Sequence, residues 1–456
     1  MGFLKSFTRE EKSWMMYDWA NSAHSVIVVT ILPIFYETIS ANSVGAIGRW
    51  GVGTSAAMLL TALMAPVLGA FGDFPGFRKK LFTAFMLLGA ASCGVMAWTP
   101  FMDASTAAGA ERVGVWILGL YIVSTIGFAG ANLYYDSFLT DVTTDERMDR
   151  VSTMGYGLGY IGGSTIPLLI FLLMNLAGVA MNTCLAFAFG LTGVWWFVFS
   201  LPLLKNVHQT RSVPRHKGAV GEAFRGLAAT AKEIFHTRAL FIFLLAYFFY
   251  IDGVNTIIHM STIYGSALNI DSTQMLLALL LVQVLGLPFA LLYTKCAARF
   301  GARTMVGVGI LVYMFICVFG FFVRSVWQFW VLAVLVATSQ GGIQALSRSM
   351  FGKMIPDKNR SSEFFGFYDV FGKFSAILGP SLFGGVAAFA SNILYSRRGY
   401  TSATAPAAVA EAVSQSAAPW GVLSVLLIFV VGGGLYFFVL PKFLKEAKEP
   451  DAKKGE

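Results

Sequence analysis

Residues 239–265, ALFIFLLAYFFYIDGVNTIIHMSTIYG, form a long apolar run that carries a single acidic residue, Asp252. A helix needs about 20 apolar residues to cross the hydrocarbon core of a bilayer, so this run is long enough to span a membrane. Similar runs fill the chain of 456 residues, of which 56% are hydrophobic and 12% charged. Soluble domains contain roughly 25% charged residues, so most of the surface of this protein must face lipid.

The apolar runs predict an all-α membrane protein of twelve transmembrane helices, arranged as two pseudo-symmetric bundles of six. The predicted spans are residues 14–40, 50–71, 80–99, 113–140, 152–176, 181–204, 239–265, 272–295, 303–323, 327–350, 364–390 and 418–440. The longest polar stretch lies between the two sets of spans. The predicted domains are an N-terminal bundle at 1–204, a cytoplasmic linker at 205–238, a C-terminal bundle at 239–441 and a cytoplasmic tail at 442–456.

The basic residues are distributed unevenly between the two sets of loops. The chain has a formal net charge of +9, but its charges lie between the apolar runs, which argues against nucleic acid as a partner. Lys and Arg concentrate in the linker and in the loops on its side of the membrane. This asymmetry predicts a multi-pass protein of the cytoplasmic (inner) membrane with both termini in the cytoplasm. The first apolar run is not followed by a small-residue cleavage site, so we expect a retained helix.

The cysteines and histidines show no pattern typical of a reactive site. The four cysteines lie within or at the ends of apolar runs, without a CxxC or Cys/His spacing, so we expect neither disulfides nor a metal site. The five histidines form no HExxH or HxxxH cluster. Residues 366–373 lack the spacing of a phosphate-binding loop, which argues against an ATP-driven pump. The sequence therefore predicts a protein without a cofactor that is not an enzyme.

Three weak similarities between the two halves indicate a duplicated six-helix unit. Each similarity could arise by chance, but all three occur in the same order and about half a chain apart. The matched positions are 18–21 with 252–255, Gly76 with Gly301, and 155–156 with 366–367.

Polar and ionisable residues within the predicted spans concentrate on the first and fourth helices of each half and on span 11. Such side chains are costly in lipid, so they normally face a partner or a water-filled cavity. The pattern predicts a shared central cavity through which a substrate or a proton passes. The candidate residues of this pathway are Asp18, Asn21, Asn132, Tyr135, Asp136, Asp252, Asn255, Gln340, Gln344, Arg348, Tyr368 and Lys373.

The candidate residues differ in how deep they lie within their predicted spans. Asp252 and Lys373 lie near the middle of their spans. Two interpretations are open: they bind the charged ends of a substrate or a proton in transit, or they neutralise each other and only hold the halves together. Asp136 and Arg348 lie nearer the cytoplasmic ends, where we expect an ion pair between the two halves that closes the cytoplasmic side, in preference to contact with the substrate. For Asp18, the alternative to a pathway role is that it caps the entry of the first span.

The loop Gly69-x-x-x-Asp73-x-x-Gly76-x-Arg78-Lys79 has the most distinctive spacing in the chain. Its glycines permit a tight turn and a close approach of helices. The carboxylate of Asp73 can accept hydrogen bonds from an arginine or from the N-terminus of a neighbouring helix. We predict that Gly69, Asp73, Gly76 and Arg78 form a conformational latch that is made in one conformation and broken in another. The alternative is a plain cytoplasmic turn.

The two halves and the loop at 69–80 resemble the major facilitator superfamily, although Phe74 and Phe77 stand where basic residues are usual. In the second half, Ala298 replaces the acidic residue of the loop. A narrower resemblance is to the vacuole effluxer-like branch, which includes autophagy-related vacuolar amino-acid effluxers of fungi, and here to a bacterial-type member. It is carried by YDWANSA at 17–23, GYIGG at 159–163, YIDGV at 250–254, GGIQALSRS at 341–349 and FFGFY at 364–368. The resemblance covers most of the chain and implies the twelve-span fold, alternating access and, more weakly, amino-acid export.

These observations predict a secondary active transporter of a small polar solute that works by alternating access. An amino acid is the suggested solute, and proton coupling is an option. The expected partners are the small-molecule solute and membrane lipid, and the protein is expected to be a monomer. The alternatives are a lipid or amphiphile translocase and a non-transporting membrane receptor on a transporter fold.

Overall fold

A computed structural model describes residues 6–40, 46–214 and 219–446, and nearly all of these are helical. The α-helices are α1 (Arg9–Val26), α2 (Leu32–Ser40), α3 (Ala46–Gly72), α4 (Phe77–Met96), α5 (Ala107–Val142), α6 (Asp145–Leu158), α7 (Ile166–Leu176), α8 (Met181–Asn206), α9 (Ala219–His236), α10 (Arg238–Ala267), α11 (Ser272–Phe300), α12 (Ala302–Phe322), α13 (Val326–Met354), α14 (Ser361–Arg397), α15 (Ala407–Gly434) and α16 (Leu440–Glu446). Three π-helical turns continue the chain between helices, at Ile27–Ile31, Gly159–Thr165 and Leu435–Val439.

Eleven helical segments of the described chain are long and apolar enough to cross a membrane. The predicted all-α membrane fold is therefore confirmed. The predicted span at 14–40 is also helical, since α1 runs through a π turn into α2. It is not among the eleven segments, and α1 carries the polar residues Asp18, Asn21 and His24.

Local sequence signals fix where several helices begin. Thr8 and Glu11 form a capping box, in which the backbone N–H of each residue donates to the side chain of the other, at 2.8 and 3.1 Å. Asp271 caps α11 by accepting from the backbone N–H of Thr273 at 2.9 Å. Gly76 has a φ of 72°, a left-handed conformation that lets the chain turn sharply into α4.

The chain divides into two compact units. The first consists of Met1–Ala231 together with Arg348–Val370, and the second of Lys232–Ser347 together with Phe371–Glu456. Helices α13 and α14 therefore contribute residues to both units. The predicted domain boundaries, including the linker at 205–238, stay predictions; α9 lies within that linker, and residues 215–218 fall outside the described part of the chain.

Each unit has an aromatic core. In the first, Trp14, Tyr17 and Trp196 are fully buried, and Trp196 Nε1 donates to the Tyr17 hydroxyl at 3.2 Å. In the second, Tyr313 stacks on Phe429 with ring centroids 5.5 Å apart. Buried aromatic rings contribute large contact areas between helices, so these residues stabilise the helix packing within each unit.

The π turn between α6 and α7 is shaped around a tryptophan of α1. A Cβ atom at Gly162 would overlap the Trp19 ring, and one at Gly163 would lie 2.5 Å from the Trp19 carbonyl oxygen. The glycines of this turn therefore allow two helix backbones to approach more closely than other residues would permit.

Candidate functional site

A buried arginine joins three helices of the first unit. Arg348, on α13, forms an ion pair with Asp18 of α1 at 3.3 Å and with Asp136 of α5 at 3.0 Å. Its Nε donates to the Ser152 hydroxyl at 3.0 Å, and its terminal nitrogen donates to the Ser152 carbonyl at 3.1 Å. Only 3% of the Arg348 side chain is exposed, so these groups replace the water that a guanidinium would otherwise bind.

Three aromatic rings complete the surroundings of this guanidinium. Its central carbon lies 4.7 Å from the Trp14 ring centroid, 5.3 Å from that of Tyr135 and 4.5 Å from that of Tyr156. All three distances are within the range of cation–π interactions. We call the site formed by Asp18, Trp14, Tyr135, Asp136 and Tyr156 the cation cage.

The rings of the cation cage are held in place by contacts of their own. Trp14 stacks on Tyr135 with centroids 4.4 Å apart and donates its Nε1–H to the Tyr135 carbonyl at 2.8 Å. Gly155, one residue before Tyr156, provides the space for the Asp18 carboxylate, because a Cβ atom there would overlap it. The cage is therefore preorganised by its neighbours as well as by Arg348.

Further polar contacts fix residues 348–370 within the first unit. The Ser349 hydroxyl donates to Asp149 at 2.7 Å, and Lys353 forms an ion pair with the same carboxylate at 2.6 Å. Lys358 pairs with Asp145. These residues were not among the predicted site residues, although the acidic residues at the start of α6 and the basic residues at the end of α13 and just after it are a signal that could have found them.

The predicted latch residues lie together in the first unit. Asp73 Oδ1 accepts from Arg78 and from the backbone N–H of Ser362, both at 2.8 Å, and Oδ2 accepts from the N–H of Glu363 at 2.9 Å. The two N–H groups belong to the first turn of α14, where the helix dipole favours an anion. Gly69 permits this approach, because a Cβ atom there would overlap the backbone at Ser362.

A second acid, Asp141, also pairs with Arg78, so two carboxylates share one guanidinium in a buried site. Burial raises the pKa of the Asp73 carboxyl to about 6, although the charge of Arg78 and the backbone N–H groups of Glu363 and Ser362 act in the opposite direction. Asp141 was not predicted, since it lies at the end of a long helix without a recognisable motif.

The chain that follows α8 covers this latch. Gln209 accepts from the Gly76 N–H at 3.0 Å, and the Val213 N–H donates to the Asp73 carbonyl at 2.8 Å. The Thr210 hydroxyl donates to Asp141 at 2.7 Å. The start of the predicted linker is thus an ordered part of the latch region.

In the second unit, Asp252 of α10 is fully buried. Its Oδ1 accepts from the backbone N–H of Gly379 at 3.0 Å and lies 3.5 Å from the Thr256 hydroxyl. No group in the described part of the chain donates a hydrogen bond to Oδ2. A buried carboxylate oxygen without a donor is costly, which marks this position as unusual.

The remaining predicted pathway residues divide between the two units. Asn21 donates to Asn132 at 2.7 Å in the first unit, where Tyr368 also stacks on Phe351 at 4.7 Å. In the second unit, Gln340 is buried, whereas Asn255, Gln344 and Lys373 are half-buried. Their role in a pathway stays a prediction. Within the described residues, no group of His, Cys, Asp and Glu side chains could hold a metal ion.

Comparison with known proteins gives the family. Residues 52–396 match the family model described as "Vacuole effluxer Atg22 like". The chain is 45% identical over 392 residues to the uncharacterized MFS-type transporter YxiO of Bacillus subtilis, covering 83% of this chain and 88% of that protein. It is 26% identical over 276 residues to autophagy-related protein 22-2 of Aspergillus clavatus, covering 54% of this chain and only 45% of the fungal protein.

Solved structures show the same fold. The human organic anion transporter MFSD10 superposes with a TM-score of 0.66 at 13% identity, covering 94% of this chain and 99% of that one. The proton:xylose symporter XylE superposes with a TM-score of 0.64 at 12% identity, covering 94% of both chains. The predicted transporter fold is therefore confirmed, and this chain belongs to the Atg22-like vacuole effluxer family of major facilitator transporters.

Proposed function

We propose that this protein is a proton-coupled secondary transporter of a small polar solute, of the amino-acid class, that works by alternating access. In this proposal it lies in the cytoplasmic membrane with both termini in the cytoplasm, as the distribution of Lys and Arg supports. A cysteine placed at His208 should then react with an impermeant reagent from the cytoplasmic side, and one placed at Asp103 from the opposite side.

The contacts of residues 348–370 carry the proposal. Arg348 is attached to the rest of the first unit through Asp18 and Asp136, and Lys353 through Asp149. The first turn of α14 is attached through hydrogen bonds to Asp73. Polar contacts of this kind can be exchanged for water or for a ligand, unlike an interlocked apolar core. They suit a gate that is made in one conformation and released in another.

Asp252 is our candidate for the coupling proton. A proton on its unpartnered Oδ2 would remove a buried negative charge that has only one backbone N–H and one hydroxyl nearby. Ionisable residues inside transmembrane helices commonly mark proton pathways. The resemblance of the chain to amino-acid effluxers supports an amino acid as the solute.

The test is transport into proteoliposomes with a panel of labelled amino acids and other polar solutes, with and without a pH gradient. We expect accumulation that depends on the gradient. Asp252→Asn should abolish this accumulation but retain exchange of solute across the membrane, because Asn cannot carry the proton. Asp271→Asn is the matched control, since Asp271 is an exposed helix cap outside the membrane and Asn is also a good cap.

Two results would contradict the proposal. If no solute of a broad panel crosses the membrane, the protein is not this kind of transporter. If Asp252→Asn accumulates solute as the unmodified protein does, transport stands but Asp252 is not the coupling site.

A further inference from the structure

The guanidinium of Arg348 is bound as a ligand would be. Every group of the cation cage touches its planar, charged end: two carboxylates at 3.0 and 3.3 Å and three aromatic faces within 5.3 Å. The cage belongs to helices α1, α5 and α6, whereas the arginine belongs to α13. Aromatic faces combined with carboxylates are the chemistry by which proteins recognise organic cations.

The charge of the cage also favours a cation. Asp18 and Asp136 carry two negative charges when ionised, and Arg348 compensates only one of them. Two carboxylates that face one guanidinium can therefore bind another planar cationic group in its place.

We propose that the cation cage recognises the positively charged head of the transported solute, a guanidinium or a primary ammonium, and that Arg348 occupies the cage as a built-in substitute when the solute is absent. The inference rests on the proposed transport function and specifies the solute as an organic cation, such as a basic amino acid or its decarboxylated amine.

Exchange between Arg348 and the solute would connect binding to gate opening. The cage cannot hold both groups, so a solute that enters it displaces Arg348 and releases the end of α13 from Asp18 and Asp136. A ligand that binds only one of two conformations shifts the population toward that conformation. The cationic solute therefore both fills the site and breaks one of the contacts that hold residues 348–370.

Arginine and citrulline provide a matched pair of ligands for the test. They have nearly the same shape, but citrulline carries a neutral urea group in place of the guanidinium. We expect arginine and agmatine to raise the melting temperature of the purified full-length protein and to give saturable binding by calorimetry. Citrulline should do neither at the same concentration, because the cage selects for positive charge and stacking.

Two variants identify the cage as the binding site. Trp14→Leu removes one aromatic face and should weaken arginine binding about tenfold, which corresponds to about 1.4 kcal/mol. Trp98→Leu is the control, because Trp98 is 77% exposed and lies outside the cage. Arg348→Ala should tighten arginine binding about tenfold, because the competing occupant is gone and the empty cage is always available.

The Arg348 variant separates this proposal from a structural role. If Arg348 only stabilised the fold or bound the carboxylate of the solute, its removal would weaken binding. Should Arg348→Ala fail to fold, Arg348→Lys provides the same test, since lysine stacks less well in the cage and should tighten arginine binding to a smaller degree. Should Trp14→Leu fail to fold, Tyr156→Leu provides the same test, since it also removes one aromatic face of the cation cage.

The possible outcomes distinguish this inference from the proposed function. Equal binding of citrulline, or weaker arginine binding in Arg348→Ala, overturns the cage assignment. If proteoliposomes exchange leucine but not arginine, the transport proposal stands and the cation inference fails. If arginine binds through the cage but no solute of the panel crosses the membrane, the cage is a cation-binding site, and both the transport proposal and the assignment of the cation as the transported solute fail.

Discussion

Asp18 and Asp252 occupy matching positions in the two halves of the sequence, within Asp-Trp-Ala-Asn and Asp-Gly-Val-Asn. Their surroundings differ completely. Asp18 pairs with a guanidinium that a second carboxylate and three aromatic rings also contact. Asp252 meets one backbone N–H and one hydroxyl, and its Oδ2 has no hydrogen-bond donor in the described chain. Residues at matching positions of the two halves thus have different surroundings: the Asp18 carboxylate pairs with a guanidinium, whereas the Asp252 carboxylate accepts from a backbone N–H.

The largest expected effect is that of removing the shared guanidinium. Arg348→Ala leaves the buried carboxylate of Asp18 and the half-buried carboxylate of Asp136 without their shared partner. Breaking a buried pair in this way costs about 3–5 kcal/mol. We expect this loss in the free energy of unfolding, measured by chemical unfolding in detergent micelles. Arg112→Ala, at an exposed position, should change it by less than about 0.5 kcal/mol. Equal effects of the two substitutions would show that the Arg348 contacts contribute little to stability.

The stability of the protein should respond differently to the same substitution at the two aspartates. Asp18→Asn removes a charged partner of Arg348 and should destabilise the protein by about 1.5–3 kcal/mol, the range for hydrogen bonds to charged groups. Asp252→Asn removes a buried charge without an ionic partner in the contacts described above, and should leave stability unchanged or raise it. Melting temperatures of both variants at pH 7 are the measurement. A large loss of stability in Asp252→Asn would show that its carboxylate is held as firmly as that of Asp18.

A smaller effect is expected when the space for the Asp18 carboxylate is filled. Gly155→Ala places a Cβ atom against Asp18, with Trp14 and the Tyr135 hydroxyl 3.3 Å away, and should cost about 1–2 kcal/mol by overpacking. Gly119→Ala is the control, because nothing lies within 4 Å of a Cβ atom there and alanine favours a helix. If both variants are equally stable, the space beside the Asp18 carboxylate can accommodate a methyl group, and the cage is less tightly packed than its geometry indicates.

The smallest effect concerns the pH dependence of the latch. The pKa of Asp73 is raised from its usual value of 3.8 to about 6, so the native state binds more protons than the unfolded state between about pH 4 and 6. The contribution of the Asp73 carboxyl to the free energy of unfolding therefore increases as the pH falls, by about 0.3 kcal/mol from pH 7 to pH 6. We expect Asp73→Asn to lack this increment in melting experiments at the two pH values. An unchanged pH dependence in the variant would assign the titration to another group.

Hydropathy predicts most of the fold, because a membrane span needs a continuous apolar run. The predicted spans at 239–265 and 303–323 agree closely with α10 (Arg238–Ala267) and α12 (Ala302–Phe322). Some helices extend beyond their apolar run and are therefore longer than predicted. Helix α14 (Ser361–Arg397) exceeds the predicted span at 364–390, because hydropathy does not detect helical residues outside the apolar run.

The candidate site is less predictable than the fold. The sequence suggests a pair between Asp136 and Arg348, since both are charged residues inside apolar helices, and this contact is present at 3.0 Å. Trp14 and Tyr156 have no signal that separates them from the other aromatic residues, which make up 15% of the chain. Which ring faces Arg348 depends on the rotation and depth of α1 and α6, and these are set by packing between helices distant in sequence.

The wide helical turn at Gly159–Thr165 has a consequence for how this chain tolerates insertions and deletions. A π turn contains one residue more than the α-helix would use over the same length. Deletion of one residue there would restore a regular helix and leave the later residues of α7 close to their present orientation. A deletion in the α-helical part of α7 would instead rotate every later residue by about 100° around the axis, since each residue advances the helix by that angle. Length changes between related chains are therefore expected within this turn, where one residue can be gained or lost without changing which side of α7 meets its neighbours.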